Sequence, residues 1–244
     1  KVGVLIPKCI MPVDIFGLPA NYDRIKGIAD KYDMKILSDG AQSFGSSING
    51  RKSCTYANAT ATSFYPSKPL GCYGDGGAIF TDDEELYLKI FSIRNHGFDK
   101  HRYKHVRVGL NGRLDTIQAA ILLEKLKIFE KEIDKRQEIY KIYKESLEND
   151  YFIQQVPEWS ISTWSQFSIL PKNNSRDFVI NHLKSKDISS AIHYPIPLHK
   201  QDIFKTDLYL PISEEITKNI FSIPMHAYLS KENQKIINDA LLNV

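Results

Sequence analysis

The chain has 244 residues, 42% hydrophobic and 25% charged, with 13 Gly and 11 Pro; this excludes collagen-like, disordered and disulfide-scaffold classes and suffices for one large domain or two modest ones. With 32 basic against 29 acidic residues the formal net charge is +3, too small to point to a nucleic-acid partner. Cys9, Cys54 and Cys72 show no CxxC spacing and read as free thiols of a reducing, cytoplasmic compartment, and no apolar run reaches membrane-spanning length.

Two short apolar runs open the chain, Val2–Ile6 and Cys9–Val13, each bounded by proline, and read as buried strands. Residues 1–7 are too short, and too soon broken by Pro7, for a signal peptide. Without an initiator Met, the expectation is a piece of a longer chain. Tyr22–Tyr32 sets Ile25 and Ile28 among charges and predicts an amphipathic helix. Met34–Leu37 predicts a strand, followed at once by Ser38-Asp39-Gly40-Ala41-Gln42. The polar stretch Ser43–Asn58 contains Asn49-Gly50, a hairpin-turn signal. Thr60–Tyr65 and Gly77–Phe80 predict strands on either side of a loop with glycines at 71, 74, 76 and 77. Asp82–Asn95 predicts a helix with acids in its first turn, as the helix dipole favours.

Strand–helix alternation to this point argues for an α/β fold with a largely parallel sheet. Asp115-Thr-Ile-Gln118 is a capping-box pattern, and it opens a helical stretch from Thr116 to about Glu148. Short strands at Gln166–Leu170 and Ser190–Tyr194 and helices at Arg176–Lys184 and Lys231–Leu242 complete the chain. The change of character places a domain boundary within the long helix, giving 1–130 as a large domain and 131–244 as a smaller α/β domain.

In open α/β sheets ligands bind beyond the carboxyl ends of the strands. Asp39–Gln42, Ser63–Lys68 and the glycine loop fall at such ends. Lys68 taken alone is most simply a solvated loop lysine, and Asp39 a turn or cap residue. Together they have another reading. A lysine near a sheet end can bond a carbonyl cofactor, and a carboxylate can hold a cationic ring nitrogen, as pyridoxal phosphate requires. Ser63 serves equally to donate to a phosphate or to satisfy strand backbone. The segment from Arg94 to Arg107 carries Arg94, Lys100, Arg102, Lys104 and Arg107 with His96, His101 and His105. It reads as a solvated basic loop or as an anion-lined entrance for a diphosphate; beyond Phe98 and Tyr103 it lacks the interleaved aromatics of a nucleic-acid platform. His193 and His199 have no cysteine or carboxylate beside them in sequence, so no metal is expected.

Pro12-Val-Asp-Ile-Phe-Gly17, Asp39-Gly-Ala-Gln42, Ser63-Phe-Tyr-Pro-Ser-Lys68, Gly74-Asp-Gly-Gly77, Arg94-Asn-His-Gly97, Tyr103-Lys-His105, Gly109-Leu-Asn-Gly-Arg113 and Gln118-Ala-Ala120 follow one another in this order. In order and spacing the set resembles the DegT/DnrJ/EryC1/StrS sugar aminotransferases, pyridoxal-phosphate enzymes of fold type I. Lys68–Gly77 and His193-Tyr-Pro-Ile-Pro-Leu-His199 are most similar to a branch that aminates 3-keto sugars on UDP, notably UDP-2-acetamido-2-deoxy-3-oxo-glucuronate.

The resemblance implies roles residue by residue. Lys68 carries the cofactor and moves the proton. Asp39 keeps the pyridinium protonated, Gln42 lies over or beside the ring, and Ser63 binds the phosphate. Asn111 and Arg113 serve the site of a second copy, Asn111 at the phosphate and Arg113 at the substrate, which makes the expected assembly a homodimer. His193 and Tyr194 approach the sugar, although core packing explains them equally well. L-glutamate is the expected amino donor and a nucleotide sugar the acceptor, for surface-polysaccharide synthesis.

The same resemblance marks what is missing. The family carries an N-terminal portion with a helix N-terminus that cups the phosphate and an aromatic that stacks on the ring, so the large domain is expected to be incomplete. Gly40 stands where the family more often has Ala. Two other readings remain: a non-catalytic fragment or regulatory relative unable to hold cofactor, and an aminotransferase for another keto sugar or a cyclitol.

Overall fold

The computed structural model describes residues 5–204 and 206–244. The chain packs as two units. One runs to Glu130 and takes in Glu158–Thr163; the other comprises Lys131–Pro157 and Trp164–Val244.

The first unit begins with β1 (Cys9–Ile10), α1 (Tyr22–Lys31) and β2 (Lys35–Asp39), then β3 (Ser47–Ile48) and β4 (Arg51–Lys52), then β5 (Ala59–Ser63), β6 (Gly77–Phe80) and α2 (Glu84–Arg94). Its main sheet has the order β1-β2-β5-β6. The first three strands are parallel, and β6 runs antiparallel to β5. Of the expected strand Val2–Ile6, residues 2–4 lie outside the described residues, and Leu5 and Ile6 are irregular. The expected strand Cys9–Val13 is cut to two residues and a lone bridge from Val13 to Asp39. Pro12 interrupts it because it has no N–H for the ladder, but its carbonyl still accepts from the Asp39 N–H.

α1 starts where Asn21 accepts from the Arg24 N–H, 3.1 Å away, and the chain leaves it through Asp33 at φ 51°. It lays Tyr22 and Ala29 against Ile36 and Ile48, with Ile10, Ile25 and Met34 at the margin. Asn49 and Gly50 take φ 48° and 79°, the paired left-handed conformation of a tight two-residue turn, and join β3 to β4. α2 is capped by Asp83, which accepts from the Leu86 N–H at 3.0 Å; Glu84 and Glu85 in its first turn and Arg94 in its last complement the dipole.

α3 (Thr116–Leu147) is 32 residues long and passes from the first unit into the second. After it come β7 (Tyr151–Ile153), β8 (Ser160–Ile161), β9 (Phe167–Pro171), α4 (Arg176–Ser185), α5 (Pro211–Asn219), β10 (Phe221–Ile223) and α6 (Lys231–Leu242). β8 belongs to the first unit, since it pairs with β3 and Trp159 O accepts from the Asn49 N–H. The expected division at residue 130 does not anticipate this return, because two residues of strand leave no periodicity to read.

The second unit is built on an antiparallel sheet, β10-β9-β7. Tyr143, Leu147, Trp164, Phe167, Ile169, Val179, Leu183 and Phe221 form its fully buried core. Trp164 stacks on Tyr140 with ring centroids 4.3 Å apart. Burial raises the Tyr143 hydroxyl well above its ordinary pKa, so it stays a neutral donor to Pro224 O at 2.9 Å. The expected strand Ser190–Tyr194 is irregular and keeps one bridge, Ala191 to Ser222; the place in the sheet belongs to β10.

Phe167 packs against Trp164 and Tyr143 with centroids 5.2 and 4.9 Å away. Phe167→Ala is expected to cost about 3–5 kcal/mol, measured by urea unfolding followed through tryptophan fluorescence. A loss below about 1 kcal/mol would contradict this core.

Candidate active site

The polar cluster after β2 is fastened to β5 at three points. Asp39 pairs with Ala61 in register, the Gly40 N–H donates to Ala61 O at 2.8 Å, and Thr62 Oγ1 donates to Gly40 O at 2.8 Å. The approach is close at Gly40: a methyl there would lie 2.9 Å from the Thr60 methyl and 3.4 Å from Ala61 O, so the Thr60 side chain would have to give way. Ser63 stands two residues further along the neighbouring strand, so its Cα is about 8 Å from that of Asp39 by strand spacing and rise. The carboxylate of Asp39 accepts from the Ala41 N–H at 3.0 Å, which shapes the turn and leaves its other oxygen outside that bond.

Ser63 Oγ accepts from the Tyr65 N–H at 3.2 Å, leaving the hydroxyl proton to donate. The next turn is closed by the Lys68 N–H on Tyr65 O at 2.9 Å, so Lys68 follows directly from the carboxyl end of β5. The glycine loop folds back over this turn through Cys72 N–H to Phe64 O and Phe64 N–H to Gly76 O. A Cβ on Gly71 would come within 2.8 Å of the Tyr65 and Pro66 carbonyls, so only glycine allows this contact. α3 holds the loop from its other side: Gln118 Oε1 accepts from the Tyr73 N–H at 2.7 Å, and Lys125 Nζ donates to Gly71 O at 2.5 Å. Gln118 therefore binds the glycine loop instead of reaching back to cap its own helix.

Gln42 is buried, and its Oε1 accepts from the Phe16 N–H at 2.5 Å. Phe16 has φ 62°, unfavourable for a residue with a side chain, and this bond helps hold it there.

Asp14, in the Pro12–Gly17 stretch, is the residue on which this corner converges. It is 1% exposed. Its Oδ1 accepts from the Ala20 N–H at 2.9 Å and the Tyr22 hydroxyl at 2.8 Å, and its Oδ2 from the Ser43 hydroxyl at 2.6 Å. Its own N–H donates to Asp39 O at 3.1 Å. Desolvation raises the Asp14 carboxyl above its ordinary pKa; the three donors oppose this, and the nearby charge of Asp39 adds to it. Burial likewise raises the Tyr22 hydroxyl and pushes the Cys54 thiol up to about 11. A signal for Asp14 existed in its place directly after an apolar run and before Ile15-Phe16, where a solvated carboxylate has no room.

Asn111 and Arg113 lie on the segment that leads into α3. Both are exposed, and Arg113 Nε donates to Asn111 Oδ1 at 2.9 Å. Their segment runs beside the end of α2, through Leu110 N–H to Ile93 O and Gly112 N–H to Arg94 O. The basic segment after α2 is exposed and braced by His105 Nδ1, 2.9 Å from His96 O.

In the second unit, His193 Nδ1 lies 2.9 Å from Ser222 Oγ, and Tyr194 is half-exposed with its ring edge-on to His193. Sequence showed no carboxylate beside His199, but the fold brings one: Glu214 Oε1 lies 3.0 Å from His199 Nε2 and 3.4 Å from Lys200 Nζ. The His199 bond, first among several contacts, lowers the Glu214 pKa. Among the described residues no three potential ligands gather around a metal position, and no helix is long and apolar enough to cross a membrane.

The sequence profile of the DegT/DnrJ/EryC1/StrS aminotransferase family matches residues 6–242. The chain is 46% identical over 238 residues to the UDP-2-acetamido-2-deoxy-3-oxo-D-glucuronate aminotransferase of Pseudomonas aeruginosa, covering 97% of this chain and 66% of that protein. It superposes with a TM-score of 0.93 on the crystal structure of a DegT DnrJ EryC1 StrS aminotransferase from Brucella abortus, 44% identical, over 97% of this chain and 64% of that one. It also matches ntda of Bacillus subtilis, solved with bound cofactor PMP, with a TM-score of 0.86 and 26% identity, over 97% of this chain and 56% of that one. The chain thus spans at most about two thirds of the length of these relatives.

Because the folded Asp14 carboxyl is raised, the native state holds the extra proton between the ordinary carboxylate value and the raised one. The Asp14 contribution to stability therefore falls as pH rises through that window. Asp14→Asn is expected to flatten the melting temperature against pH above about 4, read by circular dichroism. An unchanged slope would show that Asp14 is not the titrating group.

Proposed function

The chain belongs to the DegT/DnrJ/EryC1/StrS aminotransferase family, of fold type I, and on that premise we propose that the protein transfers an amino group from L-glutamate to the keto group of a UDP-linked sugar, using pyridoxal phosphate. One observation carries the reading: Asp39, Gln42, Ser63 and Lys68 all lie at the carboxyl ends of the adjacent parallel strands β2 and β5 or in the turns that leave them. The residues suit the cofactor. Asp39 offers a carboxylate for the ring nitrogen, Ser63 a hydroxyl proton for a phosphate oxygen, and Lys68 a primary amine. The buried Gln42 carboxamide borders the same turn.

When bound, the cofactor spreads the negative charge that develops at the reacting carbon. Each residue has a task around it. Asp39 keeps the proton on the ring nitrogen, because an anion beside that position favours the charged form. Lys68 would hold the cofactor through its amine and would move a proton, as general base and then as general acid. Donor and acceptor occupy the site in turn, so the kinetics are ping-pong.

Arg113 reads the substrate and Asn111 the cofactor phosphate in the site of a second copy, which makes the working assembly a homodimer. His193 and Tyr194 are assigned to the sugar. The Arg94–Arg107 segment supplies guanidinium and ammonium groups suited to the diphosphate. The free thiols of Cys9, Cys54 and Cys72 accord with action in the cytoplasm, and the product with supply of an amino sugar for surface polysaccharide. The Pseudomonas aeruginosa relative supports a 3-oxo glucuronate derivative as the acceptor.

With added pyridoxal phosphate, the purified chain is expected to develop a visible absorbance band that borohydride traps and Lys68→Ala abolishes. Asp39→Asn is expected to keep the band and lower amino transfer by about 10²-fold or more, measured with L-glutamate and the UDP-keto sugar. A folded chain without the band would refute cofactor binding by this chain and favour a scaffold that does not hold it.

A further inference from the structure

Ser222 is the middle residue of β10, and four hydrogen bonds meet on it. Its N–H donates to Ala191 O at 2.7 Å, and its carbonyl accepts from the Ala191 N–H at 3.1 Å. The irregular segment that carries His193 is therefore latched to the sheet at this residue. Its hydroxyl lies 2.9 Å from His193 Nδ1 and 2.8 Å from Ser168 Oγ. Ser168 is its direct partner across β9, so the two side chains share a sheet face.

Alternation explains why serines stand in these strands. Phe167 and Ile169 on β9, and Phe221 and Ile223 on β10, join the apolar core; Ser168 and Ser222 point the other way. Both serines are 6% exposed. A hydroxyl so buried is costly unless bonded, and these two satisfy each other and His193. A cavity of about 230 Å³ on this unit is lined by Ser165, Ser189, Ser190, His193, Ser222 and Met225 among others, with no Lys, Arg, Asp or Glu in its wall. Such a wall suits an uncharged hydroxyl or amide group and does not suit a diphosphate.

We propose that Ser222, backed by Ser168, is a positioning residue that fixes the ring orientation of His193, so that His193 meets an uncharged polar group of the sugar in this cavity. The His193 assignment rests on the aminotransferase reading; the bond from Ser222 does not. A hydroxyl on Nδ1 hinders rotation of the imidazole and partners that nitrogen in either tautomer, accepting from its N–H or donating to its lone pair.

The test is ¹⁵N NMR of histidine-labelled protein, with His193 identified through His193→Gln. In wild type the His193 nitrogens are expected to be displaced from the averaged pattern of a solvated imidazole. Ser222→Ala should move the His193 nitrogens toward the averaged pattern of a solvated imidazole, and Ser222→Thr should restore them. Unchanged His193 nitrogens in a folded Ser222→Ala protein overturn the proposal. Should Ser222→Ala fail to fold, Ser168→Ala keeps every Ser222 bond but one, and a shift in the same direction is required of it.

Titration with UDP-N-acetylglucosamine gives the second arm. The probe is expected to shift His193 in wild type and to bind about fivefold more weakly to Ser222→Ala. If the probe leaves His193 unmoved while Ser222→Ala still changes its nitrogens, the substrate assignment falls and the positioning role stands.

Discussion

The first unit depends on one buried carboxylate. Asp14 ties three stretches together: its own turn after β1, the start of α1 through Ala20 and Tyr22, and the turn after β2 through Ser43. Burying a charge is costly unless donors surround it, and here three do. The cost also makes the arrangement specific, because a displaced turn would strand the carboxylate. The Asp39–Gln42 turn is thereby held from below, while Gly40 and Thr62 fasten it to β5 from the side.

Lys68 is placed by a second device, made of backbone. Its turn lies between Ser63 and the glycine loop, and the loop approaches so closely that Gly71 leaves no room for a methyl. α3 clamps the loop through Gln118 and Lys125. The proposed cofactor residues thus stand on strand ends and on a turn packed from both sides, as a precise chemical site requires. A mobile loop would spread the amine over many positions and lose the advantage of fixed orientation.

The second unit solves a different problem. Its antiparallel sheet sends Phe167, Ile169, Phe221 and Ile223 into an aromatic core and leaves a face of small polar residues. Ser168, Ser222 and His193 sit on that face as one bonded set. Glu214, brought to His199 and Lys200, secures the segment that follows. Neither set is visible as a motif, because its members come from separate elements.

The sequence by itself determined the α/β character, the parallel strands with their polar ends, the Asn49-Gly50 turn, the helices α1 and α2, and the long helix. These follow from local periodicity and turn chemistry, which neighbours in the chain specify. It also showed Asp39, Gln42, Ser63 and Lys68 in order, which carried the family resemblance. Tertiary structure alone decided the rest. Pro12 cut β1 short, β8 returned to pair with β3, and β10, rather than Ser190–Tyr194, took the strand position beside β9. It gave Gln42 to the Phe16 turn, Gln118 to the glycine loop, and Asp14 its three donors. Strands of two or three residues are stabilised by partners distant in sequence, and a buried polar group takes whichever donor or acceptor the fold brings to it. Neither leaves a period or a spacing to be read.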